Sequence, residues 1–165
     1  MSAVVVNWPF KVIQGGATVN PPTVKAKAVS LLAQREYSRQ ELSDKLKAED
    51  ASPEEVEQAL AQLAAKGLVD DARVVETLVN RRSSKLGASR LRQELQAKGV
   101  SADMVAETMA DLKGTELARA RGVWEKKFGL LASSASERNK QARFLASRGF
   151  SGDVVRQVVS GLSED

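Results

Sequence analysis

The side chains best suited to chemistry in this chain are arginines and lysines, which gather in two clusters that contain no acidic residue. The first cluster covers residues 81–92 and contains Arg81, Arg82, Lys85, Arg90 and Arg92. Cationic groups in such a cluster can neutralise phosphates and release counterions, in a salt-dependent manner that does not depend on base sequence. The alternative is a solvated helical face with local ion pairs, for which Arg90 and Glu94 are the candidate partners.

The second cluster covers residues 138–148, and its basic members are Arg138, Lys140, Arg143 and Arg148. Three further lysines, Lys98, Lys126 and Lys127, lie between the two clusters. We take all of these residues as candidates for binding a polyanion such as DNA.

The charge of the chain is distributed unevenly between its two halves. Residues 1–80 carry 9 basic and 11 acidic side chains, a net charge of −2, whereas residues 81–165 carry 16 basic and 10 acidic ones, a net charge of +6. An asymmetry of this kind suggests a polyanionic partner for the second half. Single- and double-stranded DNA, bound weakly and without sequence preference, are the expected polyanions.

The composition argues against an enzyme. The chain contains no His and no Cys, which removes most zinc sites and the Ser-His and Cys-His nucleophile systems. The pair Asp70-Asp71 has no other ligand nearby and is better placed to cap a helix than to hold a metal. No catalytic residue, metal site or cofactor is therefore predicted.

Nothing in the sequence predicts a membrane protein. No run of about 18 apolar residues occurs, and the apolar start at residues 3–6 is followed too soon by polar residues and proline for a signal peptide. We expect a cytoplasmic protein, and a monomer.

A repeat organises the chain from residue 24 onward. The segment 38–63 returns 49 residues later, and a further copy follows 50 residues after that. Serines at 52, 101 and 151 start the equivalent helix in each copy. Self-similarity at this period indicates tandem supersecondary units.

The pattern within each copy predicts three helices. Apolar residues recur at the spacing of an amphipathic helix, Ser38 with Glu41 and Ser52 with Glu55 form capping boxes, and Thr115 and Ser151 are expected to cap the seventh and ninth helices. The first helix is predicted over residues 24–36 and the eighth from about Ser136.

The sequence therefore predicts an all-α protein of three tandem three-helix bundles in an elongated, curved arrangement. The expected units are residues 24–69, 70–113 and 114–165, preceded by a flexible or hairpin arm over residues 1–23. Three bundles of such helices in a row would reach roughly 50–70 Å.

Three stretches of the sequence resemble the bacterial RecX family. They are the opening Leu31-Leu32-Ala33-Gln34-Arg35-Glu36-Tyr37-Ser38-Arg39-Gln40-Glu41-Leu42, the middle Val69-Asp70-Asp71-Ala72-Arg73 with Lys85-Leu86-Gly87-Ala88-Ser89-Arg90-Leu91-Arg92-Gln93-Glu94-Leu95, and the closing Lys126-Lys127-Phe128-Gly129 with Arg143-Phe144-Leu145-Ala146-Ser147-Arg148-Gly149-Phe150-Ser151. The chain departs from the family at Val74, where an aromatic residue is usual, and at Lys85-Leu86-Gly87-Ala88, where Gly-Tyr-Gly-Pro is usual.

The resemblance implies a regulator of the recombinase RecA. Such a protein binds the RecA–DNA filament and depresses its ATP hydrolysis and strand exchange. The competing hypothesis is a DNA-binding transcription regulator of the helix-turn-helix kind, since three-helix units resemble those domains. Arg90, Arg92, Gln93 and Gln96 could face bases in that case, although the other two units offer no matching set.

Overall fold

The computed structural model describes residues 20–161, and within them the chain forms nine α-helices and no strand. The helices are α1 (Val24–Leu32), α2 (Arg39–Lys47), α3 (Pro53–Ala65), α4 (Asp71–Arg82), α5 (Ala88–Ala97), α6 (Ala102–Lys113), α7 (Glu116–Lys127), α8 (Ala135–Ser147) and α9 (Gly152–Ser160). The predicted all-α fold of three tandem three-helix units is confirmed. The predicted N-terminal hairpin lies outside the described residues.

Each unit of three helices closes around an apolar core of its own. The first unit (α1–α3) buries Leu42, Leu46, Leu60 and Leu63. The core of the second unit (α4–α6) and that of the third (α7–α9) are built from equivalent positions, among them Leu91, Leu95 and Met109, then Leu145, Val155 and Val159. Because these clusters do not merge, the contacts between units have to be made by other residues.

Polar caps fix where many of the helices begin. The hydroxyls of Ser38 and Ser52 accept from the amides of Glu41 and Glu55, and each glutamate accepts in return from its serine's amide. These reciprocal bonds satisfy two amides that a helix leaves unpaired at its start. Asp70 caps α4 through the amides of Ala72 and Arg73, as predicted.

The first helix is about one turn shorter than predicted, ending at Leu32 rather than near Glu36. The chain leaves the helix so that Tyr37, which is only 5% exposed, can enter the core of the first unit. The guanidinium of Arg35 lies 3.6 Å from the centroid of the Tyr37 ring.

Three of the predicted helix starts differ from the structure. Ser134, not Ser136, caps α8, by accepting from the amide of Glu137. Thr115 precedes α7 without capping it, because its backbone is already in the helical region and its hydroxyl donates to the carbonyl of Leu112. Ser151 precedes α9, but its hydroxyl donates to Glu116 instead of capping.

Within residues 20–161, no helix is both long enough and apolar enough to cross a bilayer. The same range contains no group of three or more acidic residues placed to hold a metal ion. Neither finding changes the set of residues that could bind a partner.

Candidate nucleic-acid interface

The second and third units are joined by backbone hydrogen bonds that bring the two basic clusters together. The amide of Gly87, just before α5, donates to the carbonyl of Arg148 at 2.9 Å, and the amide of Ser89 donates to the carbonyl of Gly149 at 3.1 Å. We call this contact between the second and third units the second joint, and the contact between the first and second units the first joint. A Cβ added at Gly149 would lie 2.6 Å from Cγ of Arg90, so the stem of Arg90 rests against this turn.

Glu116 is the acidic centre of the second joint and is only 7% exposed. One of its carboxylate oxygens accepts from the amides of Ala88 and Ser151, at 3.3 and 3.2 Å, and the other accepts from the Ser151 hydroxyl at 3.2 Å. A single carboxylate therefore caps the starts of α5 and α9, which belong to different units. Leaving such a group buried without partners would be costly.

Arg119 lies one turn further along α7 and binds carbonyl groups that follow α4 or lie in the last turn of α6. Its guanidinium donates to the carbonyls of Ser83, Leu86 and Leu112 at 3.0, 2.7 and 3.2 Å. Burial lowers the pKa of Arg119, but an arginine remains charged at any physiological pH. This side chain is engaged in the second joint and is not available to bind a phosphate.

The first and second units meet in a first joint that repeats this geometry. The hydroxyl of Ser38 donates to the carbonyl of Lys98, and the amide of Arg39 donates to the Asp71 carboxylate at 2.9 Å. The bond between Ser38 and Lys98 corresponds to the bond between Gly87 and Arg148 at the second joint. The bond from the Arg39 amide to Asp71 corresponds to the bond from the Ala88 amide to Glu116. The sequence repeat therefore encodes the contact between units as well as the units.

Three acids at the first joint pair with cations, and Glu41 pairs with Arg35 as well as with Lys98. Arg73 contacts Glu36 at 2.8 Å, Lys98 contacts Glu41 at 3.1 Å, and Arg82 contacts Glu94 at 2.6 Å. Burial would raise the pKa of Glu41, but the Ser38 amide, Arg35 and Lys98 together hold it below its ordinary value. Glu41 is therefore a stable anion at neutral pH.

A groove of about 540 Å³ opens along the first joint. Its floor includes Val74 and Leu78, and its cationic lining residues are Arg35, Arg81, Arg82 and Lys98, with Glu36 and Glu94 beside them. At the second joint the position of Val74 is held by Arg119, whose side chain reaches across between the units.

The structure separates the residues of the first cluster into different environments. Arg81, Lys85, Arg90 and Arg92 are exposed. Arg82 is bonded to Glu94 through two hydrogen bonds, which corrects the expected pair between Arg90 and Glu94. Glu94 of α5 thus pairs with Arg82 in the last turn of α4, and not with a cation of its own helix.

The other candidates also differ in their surroundings. Lys98 is held by Glu41 inside the first joint. Lys126, Lys127, Arg138, Lys140 and Arg143 are exposed. Lys127 and Arg148 lie over the ring of Phe144, at 5.9 and 5.1 Å from its centroid, and Phe128 meets the same ring edge-on at 5.4 Å.

Sequence reasoning missed three residues that organise this region: Glu116, Arg119 and Phe144. Glu116 stands 45 residues after Asp71, and each is the first residue of its unit's first helix. An alignment of those helices would have shown the equivalence, but not that both carboxylates cross to another unit. For Arg119 and Phe144, the sequence contains no signal beyond their residue types.

Comparison with known families gives an ordered set of matches along the chain. Models of the first, second and third three-helix domains of RecX match residues 25–63, 70–109 and 115–159. The Regulatory protein RecX of Leptothrix cholodnii is 45% identical over 137 residues, covering 83% of this chain and 87% of that protein. The Regulatory protein RecX of Ralstonia nicotianae is 40% identical over 141 residues, or 86% and 89% of the two chains.

Solved structures show the same fold. The crystal structure of RecX from Lactobacillus salivarius superposes with a TM-score of 0.72 at 20% identity, over 84% of this chain and 94% of that one. A second crystal structure, of a regulatory protein RecX, gives a TM-score of 0.69 at 23% identity, over 83% and 73% of the two chains.

Proposed function

Since this chain belongs to the RecX family of regulatory proteins, we propose that it binds the RecA–DNA filament and inhibits ATP hydrolysis and strand exchange. The observation that carries the proposal is the ordered match of the three RecX domains to residues 25–63, 70–109 and 115–159, with relatives of about the same length that are named regulatory proteins. The protein would act as a monomer and by binding, without chemistry of its own.

The joints support binding along an extended partner. Among the hydrogen bonds within residues 20–161, those between units connect only consecutive units, through Ser38 and Lys98 and then through Gly87 and Arg148. Three units in a row can contact more than one protomer of a filament, and several weak contacts in one chain bind more tightly than any one of them. The acidic first half would face recombinase protein, because like charges near DNA are unfavourable.

Weak DNA binding would accompany this role. The exposed cations of the second and third units, Arg81, Lys85, Arg90, Arg92, Lys126, Lys127, Arg138, Lys140 and Arg143, are the residues to test. Binding should be similar for unrelated sequences and should weaken steeply with salt, because phosphate contacts dominate it.

One observation disfavours a sequence-specific helix-turn-helix regulator. Recognition helices of that class place their N-terminal residues in the major groove. The N-terminus of α5 is instead occupied, since Gly87 and Ser89 donate to Arg148 and Gly149 and Ala88 donates to Glu116. The amides at this end of α5 are therefore engaged within the protein and cannot bind a DNA phosphate while the second joint is intact.

The direct test is ATP hydrolysis by RecA on single-stranded DNA, with this protein added at increasing concentration. A rate of ATP hydrolysis that falls as the concentration of the intact chain rises would support the proposal. Unchanged hydrolysis and strand exchange at concentrations where the two proteins co-sediment with DNA would contradict it.

A further inference from the structure

The two joints share their geometry but not their charge. Position by position, the three acids of the ion pairs at the first joint are replaced at the second. Glu36 corresponds to Lys85, Glu41 to Arg90 and Glu94 to Phe144, while Arg73, Arg82 and Lys98 correspond to Ala118, Lys127 and Arg148.

The correspondence rests on helix positions. Glu41 and Arg90 are both the third residue of their helices, α2 and α5. Arg82 and Lys127 are the last residues of α4 and α7. Lys98 and Arg148 are the C-caps of α5 and α8, and Glu94 and Phe144 precede them by four residues. Arg73 and Ala118 are the third residues of α4 and α7. Glu36 and Lys85 each lie two residues before an N-cap, Ser38 or Gly87.

The substitutions change the net charge of the joint. At the first joint three acids and three cations cancel, whereas at the second joint four cations face no acid at the same six positions. The buried carboxylate at the second joint, Glu116, has its counterpart in Asp71 at the first, so it does not alter the difference between them. At these six positions the second joint is therefore the more positive by four charges.

Two of the four cations at the second joint lie over a half-buried aromatic ring. Lys127 and Arg148 lie over Phe144, and the stem of Arg90 rests on Gly149, the residue after Arg148. At the first joint the equivalent of the ring is Glu94, which accepts two hydrogen bonds from Arg82. Cations beside an aromatic face are the combination that single-stranded nucleic acid requires, since phosphates need charge and unpaired bases need a ring.

We propose that the second joint is a binding site for single-stranded DNA, in which Arg90, Lys127 and Arg148 contact phosphates and Phe144 packs against a base. At the equivalent positions of the first joint the same scaffold carries ion pairs, and we expect those positions to bind no phosphate. This inference rests on the proposed function, because it assigns the accessory DNA binding to one place in the chain.

The experiment compares equivalent residues at the two joints in the full-length protein. Fluorescence anisotropy would measure affinity for a labelled oligothymidylate and for a duplex of equal length, across a salt series. The test variants are Lys127→Gln and the triple variant Arg90→Gln, Lys127→Gln, Arg148→Gln, and the matched control is Arg82→Gln. Thermal melting would check that each variant is folded.

We expect the triple variant to lose at least ~10-fold in affinity for the single strand at low salt, and its salt slope to fall by about 2, because about 0.7 is lost per phosphate contact. Lys127→Gln should lose several-fold, whereas Arg82→Gln should match the wild type. Phe144→Leu should weaken binding to the single strand by ~5-fold or more, since base stacking contributes about 1–3 kcal/mol, and should leave duplex binding unchanged.

A gain-of-function variant keeps the test informative if the triple variant unfolds. Glu94→Gln frees Arg82 at the first joint and should raise single-strand affinity and the salt slope. The assignment would be overturned if Lys127→Gln and Arg82→Gln lost equal single-strand affinity, or if Glu94→Gln left that affinity unchanged.

The site and the regulatory function can fail separately. If the wild-type protein inhibited RecA but bound neither the single strand nor the duplex, this site would be refuted and the proposed regulatory function would remain. The predicted order of affinities without any effect on RecA would support the site and refute the regulator.

Discussion

The amide of Gly87 donates a hydrogen bond of 2.9 Å to the carbonyl of Arg148, across 61 residues of sequence. The bond lies where the second unit meets the third and brings the two basic clusters to one place. Its equivalent at the first joint joins the Ser38 side chain to the carbonyl of Lys98. The junction is thus a repeated structural element, and it can be tested by substitution.

Gly87→Ala should destabilise the protein by about 1–3 kcal/mol, the usual effect of forcing an extra carbon into packed surroundings. The backbone at Gly87 has an ordinary φ of −81°, so strain in the turn is not involved. The added Cβ would instead come within 3.0 Å of the backbone of Gly149 and Phe150. Gly114→Ala is the control, since its Cβ would meet nothing within 4 Å. Equal urea-unfolding free energies for the two variants would show that the second joint is not tightly packed.

Glu116→Ala should also lower the unfolding free energy, by about 1–3 kcal/mol. The reason is that the amides of Ala88 and Ser151 and the Ser151 hydroxyl lose their acceptor. Glu125→Ala, at an exposed position of the same helix, controls for loss of an acid. Hydrogen exchange should show faster exchange at the starts of both α5 and α9. An effect confined to α7 would contradict the bridging role of Glu116.

Glu41 should make the stability of the first joint depend on pH. The pKa of Glu41 is lowered in the folded protein, so its contribution is present above the unfolded-state pKa of about 4.3. That contribution is lost as the pH falls through the lower folded-state pKa. Between about pH 5 and 3 the wild type should therefore lose stability more steeply than Glu41→Gln. Glu107→Gln, which changes an exposed acid in α6, should keep the wild-type slope.

Weakening the first joint should reduce inhibition of RecA more than it reduces DNA binding. Asp71→Ala with Arg73→Ala removes the bonds to the Arg39 amide and to Glu36 without changing the net charge. If the units act together along a filament, the concentration for half-inhibition should rise by ~10-fold or more, because coupled contacts give avidity. The double variant Lys66→Ala, Glu76→Ala is matched in charge and exposed. Parallel losses of inhibition and DNA affinity in the test variant would argue against coupling.

The sequence by itself determined the fold of this protein. Apolar residues at helical spacing, the 49–50 residue period and the capping boxes at Ser38 and Ser52 are local signals, and local signals set the helices and their grouping. The same signals failed where a distant partner took over a side chain. Ser151 should cap α9, but Glu116 binds its hydroxyl, and α1 ends early because Tyr37 enters the core.

Tertiary structure alone decided which of the basic residues are neutralised. In the sequence Arg82, Lys98 and Lys127 are all candidate binding residues, and nothing nearby distinguishes them. In the folded chain Arg82 and Lys98 meet Glu94 and Glu41, whereas Lys127 meets Phe144. The difference depends on contacts between helices and between units, since the acid that pairs with Lys98 lies 57 residues away. Charge pattern can be counted along a chain, but the field at a surface depends on which opposite charges the fold places beside it.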